Sequence, residues 1–404
     1  MKHPCFPFAL AAVALHSFGA LMAQEPAPAP VAPSVDDTAR FIAGLPPVSD
    51  PLLIELAGER AWQRHSALLS TAWSEVEAGR LAKVRQWALA HVPAATAAGT
   101  VFYMFSGPDF LYADAIYPEA TTYVFCGIEP VGPIPDIGGL RRDQLAGELQ
   151  ALRASLDSIL NFSFFITKEM KQDLRNHALR GTLPVLSLFI ARAGKTICDV
   201  GFVGLDRQGA LVPVSEPVRA GAVTAPGVRI TFRAPGSDTL RTLYYFSTDI
   251  SNSGLESTGF LAFCRTLAPG NSLVKSASYL MHESYFSSVR SFLLENTATL
   301  VQDDSGIPCA FLPPEQWELR LFGSYPGPIP LFHNYTQPRL ADLYRRMDPV
   351  PLDFGIGYRH RRGESTLIVA IRRPDNWTDG APRAVPVAIP VAEAEAMAPP
   401  PVTQ

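Results

Sequence analysis

Asp303 and Asp304 stand side by side in Gln302-Asp303-Asp304-Ser305-Gly306, directly after an apolar run of strand character. Paired acids can hold a metal ion or divide general-acid and general-base work. Carboxylates that emerge at a strand end also lie where ligands collect in an open α/β sheet. His282 stands between a strand-like run and a helical one. With Asp303 or Asp249 and a serine such as Ser106 it supplies the residue types of a His-Asp-Ser hydrolase. No Gly-x-Ser-x-Gly elbow exists to expose that serine. A turn rich in Asp, Ser and Gly is equally ordinary loop chemistry, and a histidine before a helix is equally a cap. Asp249-Ile250-Ser251-Asn252 also ends a strand-like run, with the composition of a capping turn. His-Glu-x-x-His, Cys-x-x-Cys and the phosphate loop Gly-x-x-x-x-Gly-Lys-Ser/Thr are absent from the sequence, so neither a metal nor a cofactor is expected.

The densest constellation runs from residue 101 to residue 130. A β-branched and aromatic run enters Ser106-Gly107-Pro108-Asp109, a helical pattern follows, and a second such run ends at Gly127-Ile128-Glu129. In a βαβ unit of the dinucleotide-binding type, the first turn approaches a ligand closely and an acid about 20 residues on accepts hydrogen bonds from a ribose. Here one glycine stands where that fingerprint has three, and Pro108 removes an amide that a phosphate would use. The expected ligand-binding set is Ser106, Gly107, Asp109, Tyr112, Glu129 and Asp249, with His282, Asp303 and Asp304 as candidate catalytic groups.

These residues need a sheet to position them. Strands are expected at 100–105, 121–130, 184–191, 227–232, 240–246, 272–280, 299–302, 317–322, 354–358 and 365–371, on β-branched and aromatic content. Helical patterns fall between many of them, at 111–117, 140–160, 168–180, 259–267, 285–296 and 338–346. Alternating strand and helix predicts an α/β fold, a Rossmann-like, doubly wound and mostly parallel sheet. The last three strands suggest an antiparallel edge, with 359–364 as a turn. Residues 35–95 read as an N-terminal helical extension: Trp62, Leu69, Trp73, Val76, Val84 and Trp87 recur at helical spacings, and His65 among them is expected to pack rather than to ligate. The expected division is 1–23, 24–34, 35–95, 96–374 and a flexible Pro/Ala-rich tail at 375–404.

The order of these segments, from the strand ending in Ser106-Gly107-Pro108-Asp109 through Gly127-Ile128-Glu129 to Tyr244-Tyr245-Phe246-Ser247-Thr248-Asp249, resembles class I S-adenosylmethionine-dependent methyltransferases in topology, without their Gly-x-Gly loop. More literally, 105–114, Gly127-Ile128-Glu129-Pro130-Val131-Gly132 and 302–308 resemble a family of exported bacterial proteins of unknown function, a likeness that implies no activity.

Export is also what the first residues predict. Lys2, the apolar run 6–15 and Ala23 as a small residue at a cut site have the form of a secretory signal, with Leu21 bulkier than the rule asks. The expected location is periplasmic or secreted, with no stable membrane span once 1–23 is cut away. Cys126, Cys198, Cys264 and Cys309 would then meet an oxidising compartment, where two disulfides or four free thiols are both open. A net charge of −4 gives no basis for nucleic acid, and Arg359-His360-Arg361-Arg362 reads as a solvated loop. The expected partner is an unidentified small molecule or protein. The leading expectation is therefore a ligand- or partner-binding protein that catalyses no reaction on a degenerate Rossmann-like scaffold. The alternatives are a periplasmic hydrolase or metal-assisted enzyme using Asp303, Asp304 and His282, and a methyltransferase.

Overall fold

Side chains at the helix starts fix the first described elements. Ser34 accepts from the Asp37 amide at 2.9 Å and opens Val35–Ile42 (α1). Asp50 accepts from the Leu53 amide at 3.0 Å and opens Pro51–Ala57 (α2), with proline at the first position where its missing N–H costs nothing. Arg60–Val76 (α3) continues through a π turn at Glu77–Leu81 into Ala82–His91 (α4). Trp62, Leu69, Val76, Val84 and Trp87 are buried at the spacings that predict them. His65 is buried with them. Its Nε2 lies 2.9 Å from the Ile42 carbonyl and its Nδ1 2.8 Å from the Arg153 guanidinium, and burial pushes its pKa down to about 4. It is a neutral packing histidine.

The computed structural model describes residues 34–93, 99–165, 176–215 and 223–374. The expected signal, most of the expected linker, the tail and most of the helix expected at 168–180 lie outside them. The described residues form an α/β structure around a ten-stranded mixed sheet in the order β4-β3-β5-β6-β2-β1-β7-β8-β10-β9. The strands are Thr100–Tyr103 (β1), Thr122–Gly127 (β2), Thr196–Leu205 (β3), Leu211–Pro213 (β4), Ala225–Arg233 (β5), Leu240–Ser247 (β6), Gly270–Val274 (β7), Thr297–Gln302 (β8), Trp317–Gly323 (β9) and Thr366–Arg372 (β10). The five central strands, β6-β2-β1-β7-β8, pair in parallel. The β8-β10-β9 wing is antiparallel, in keeping with the edge expected of 317–322 and 365–371, and the β4-β3-β5-β6 wing is antiparallel too, so the sheet is mixed where a mostly parallel one was expected. The reason lies in the connections: β5 and β6 are joined by 234–239, and β3 and β4 by 206–210, too short for the crossover that parallel pairing needs.

Helices cover both faces. Val101, Tyr103, Tyr123 and Phe125 enter one core cluster with α3 and α4, Phe110–Ile116 (α5), Arg142–Phe162 (α6) and Thr182–Arg192 (α7). The alternate residues Phe102, Met104, Val124 and Cys126 enter the other, with Phe260–Thr266 (α9), which follows the short Asn252–Glu256 (α8), and Ser287–Asn296 (α10). The last helix is Pro338–Arg346 (α11). No described helix is long and apolar enough to cross a membrane.

Three expected strands differ from the structure. Residues 184–191 belong to α7, whose residues 182–191 are all buried; a helix covered all round shows no amphipathic period, so its apolar run looks like a core strand. β7 stops at Val274, and the loop after it carries Ser276, Ser278 and Tyr279 at φ of 52°, 51° and 55°. Residues 354–358 form no strand: they pack irregularly, with Gly357 at φ 75°. β3 was missed because its two glycines and Asp199 weaken a strand pattern.

Candidate functional site

A cleft of about 570 Å³ opens where four of the parallel strands end. After β1 the chain contributes Ser106, Gly107 and Asp109; after β2, Ile128 and Glu129; after β6, Thr248 and Asp249; after β7, Lys275, Ser276 and Ser278. Because β2 and β7 flank β1 on opposite sides, the strand order reverses here, and open α/β sheets bind ligands outside the carboxyl ends at such a point. The volume lies within the about 300–1,000 Å³ of small-molecule sites. A separate dent beside Val35 and Leu183 measures about 10 Å³, too little for more than one water.

Of the expected ligand-binding residues, Ser106, Gly107, Asp109, Glu129 and Asp249 line the cleft. Tyr112 does not. It is buried behind the cleft, with Arg80 donating to its hydroxyl at 3.1 Å and the Lys275 ammonium 4.3 Å from its ring.

Asp109 caps α5 by accepting from the Tyr112 amide at 3.2 Å. Its Oδ2 also accepts from the Tyr103 hydroxyl at 2.8 Å and pairs with Lys275 Nζ at 3.0 Å, both charged side chains being 2% exposed. Lys275 donates further to the Ser163 carbonyl. Both groups are thus engaged with the fold and with each other. Asp249 lies exposed at the rim, accepting from the Ser251 amide at 2.8 Å as a capping turn would. Glu129 is different. It is 3% exposed, and its nearest donor, the Tyr245 hydroxyl, lies 3.4 Å from Oε2 while donating its single proton to the Glu129 carbonyl at 2.8 Å. Its carboxylate rests over the β2 end: a Cβ on Gly127 would stand 2.2 Å from Oε2. Thr248, 6% exposed, has no hydrogen-bond partner for Oγ1 among the described residues, and neither has Ser276 for Oγ. Buried polar groups are ordinarily satisfied, so this cleft presents unused acceptors and donors.

The candidate catalytic groups do not line it. Asp303 Oδ2 accepts from the Ser276 amide at 2.9 Å, while Oδ1 accepts from the Ser305 amide at 2.9 Å and the Ser305 hydroxyl at 2.5 Å. Burial pushes its carboxyl up against the pull of these bonds. Asp304 accepts from the Tyr279 hydroxyl at 2.5 Å; burial first, and then the charge of Asp303, push its carboxyl up to about 7. Both acids hold the 276–279 loop, together with Ser305, which accepts from the Ala277 amide at 2.8 Å, and Tyr358, which accepts from the Ser278 amide at 3.1 Å. His282 packs edge-on against the stacked Tyr279 and Tyr335 rings, ring centroids 5.2 and 5.6 Å away, and burial pushes its pKa down to about 4. Neither ring nitrogen reaches a hydrogen-bond partner among the described residues. Ser106 donates to the Cys126 carbonyl at 3.2 Å. The hydrolase constellation is therefore not assembled: its aspartate and serine are committed elsewhere and its histidine touches neither.

Lys275, Thr248 and the aromatic lining were not expected from the sequence. Phe164, Tyr358 and Phe332 form one run of rings with centroids 5.0 and 5.1 Å apart, and Phe105 and Phe286 a second pair at 6.0 Å. Phe332 comes from the 3-10 turn Pro330–Tyr335, which Arg359 secures through the Gly327 and Pro328 carbonyls at 2.6 and 2.8 Å. Arg359, expected in a solvated loop, is thus a half-buried tie. Cys126, Cys198, Cys264 and Cys309 are free thiols, three of them buried. Among the described residues no three or more His, Cys, Asp or Glu side chains gather as a metal-holding group. No family model, curated protein or solved structure matches the chain.

Proposed function

We propose that this is an exported protein that binds a small molecule, without transforming it, in the cleft at the carboxyl ends of β1, β2, β6 and β7. The observation that carries the reading is Glu129: a carboxylate 3% exposed, inside a cleft of about 570 Å³, whose acceptor capacity the protein leaves unfilled. Its one hydrogen bond, from the Tyr245 hydroxyl, is long and shared, and an under-satisfied buried acceptor costs free energy that a ligand donor recovers. The central strand order supports the finer reading of the scaffold as Rossmann-like. The form of residues 1–23 supports export. A non-catalytic role rests on the commitment of Asp109, Lys275, Asp303 and Asp304 to contacts within the fold.

A small-molecule library screened by thermal shift and calorimetry against the full chain and Glu129→Ala tests this. Ligands should raise Tm in the wild type, fail to do so in the variant, and be recovered chemically unchanged. Ligands that bind both proteins equally, or that are converted to product, would overturn the reading.

A further inference from the structure

We infer that the molecule this cleft selects is an organic cation carried on an apolar body, with an ammonium-type group held between Glu129 and the aromatic rings. The inference rests on the binding role proposed above and adds the chemical class. Its first support is charge. Among Asp, Glu, Lys and Arg side chains, four line the cleft: Asp109, Glu129, Asp249 and Lys275. Lys275 is spent on Asp109 at 3.0 Å, which leaves the carboxylates of Glu129 and Asp249 with no lining cation to balance them among the described residues. An anionic ligand would meet two uncompensated like charges in a partly dehydrated space, whereas a cation neutralises them.

The second support is the wall. Phe164, Tyr358 and Phe332 form a contiguous aromatic surface, and Phe105 and Phe286 add two rings to the same cleft. Aromatic faces attract a cation through their quadrupole and accept its apolar substituents by burial. A third, independent observation is Thr248 Oγ1, buried and unpartnered at the same site, which offers a hydrogen bond to a polar substituent beside the charge. Rings, carboxylates and a spare hydroxyl, with Lys275 the one lining cation among the described residues and paired to Asp109, describe a receptor for a positively charged organic group.

The test is calorimetry on the full-length chain with three probes of one shape. They are choline phenyl ether, its neutral isostere with carbon in place of the ammonium nitrogen, and a phenyl ether of equal length ending in carboxylate. The cation should bind at least about tenfold more tightly than the neutral isostere, and the carboxylate should not bind. Glu129→Gln and Phe332→Leu should each weaken the cation about tenfold and leave the neutral isostere unchanged. Asp249→Asn, at an exposed position, should weaken the cation by a smaller factor with folding untouched, which keeps the test valid if a buried substitution unfolds the chain. Equal binding of cation and neutral isostere would overturn the charge assignment while leaving the cleft as a binding site. So would failure of the cation to bind at about 10 mM, because the library result with Glu129→Ala decides the broader reading separately.

Discussion

Removing the Asp303 carboxylate should open the cleft wall rather than abolish a reaction. Asp303→Ala deletes three hydrogen bonds, from the Ser276 amide, the Ser305 amide and the Ser305 hydroxyl. Ser305 is fully buried, so at least one amide is stranded away from water; a stranded buried donor costs about 1–3 kcal/mol. Part of that loss is returned. Ser276, Ser278 and Tyr279 hold left-handed conformations, each costing a non-glycine residue about 1–2 kcal/mol, and the freed loop can relax them. The balance is a destabilisation of about 1–2 kcal/mol, measured by urea unfolding followed by circular dichroism. Hydrogen exchange should show the amides of 276–279 opening about thirtyfold more readily, with β1 much less affected. Asp303→Asn, which keeps an oxygen toward Ser305 and loses the acceptor facing Ser276, should fall between the two. A stability within about 0.5 kcal/mol of wild type, with loop protection unchanged, would refute the bracing role.

Other outcomes follow from the same buried groups. His282 is held neutral with a pKa of about 4 against an ordinary 6.5, so the unfolded chain takes up its proton first on acidification. Its contribution is intact above pH 6.5 and lost between pH 6.5 and 4, on the order of 3 kcal/mol, and the pH dependence of unfolding in His282→Leu should lack that fall. Asp304 acts in the opposite sense: its carboxyl sits at about 7 against an ordinary 3.8, so its contribution is present at pH 4 and declines as pH rises to 7, a decline that Asp304→Asn should remove. Lys275→Met leaves the Asp109 charge buried without its partner and should cost about 3–5 kcal/mol; adding Asp109→Asn should recover part of it, with a coupling above about 1 kcal/mol in the double-mutant cycle.

The residues that the sequence made legible are those whose geometry is local. Ser106, Gly107 and Asp109 follow one strand and open one helix, and Glu129 follows the next strand, so the βαβ pattern alone puts them on one rim. Lys275 was hidden because its strand was read as running on to residue 280; an extended strand gives no reason to turn a lysine inward, whereas the actual loop does. Phe164, Phe286, Phe332 and Tyr358 come from segments far apart in the chain, and only the fold makes them neighbours. Asp303 and Asp304 show the reverse case. Their types and adjacency suit catalysis, yet their partners are two backbone amides, a serine hydroxyl and a tyrosine hydroxyl, which sequence spacing cannot reveal. The antiparallel pairing of β3 with β4 and of β5 with β6 depends on connection length, and the completely buried α7 lacks the one-sided pattern by which helices are recognised.

Hydrogen exchange across the full chain, with and without the tightest ligand found, tests the central claim most directly. Occupation of the cleft predicts slowed exchange at residues 105–109, 127–129, 248–250 and 275–278, four separate segments responding together and losing the response in Glu129→Ala. Protection confined to the N-terminal helices or to the β9 edge, with those four segments unchanged, would contradict it.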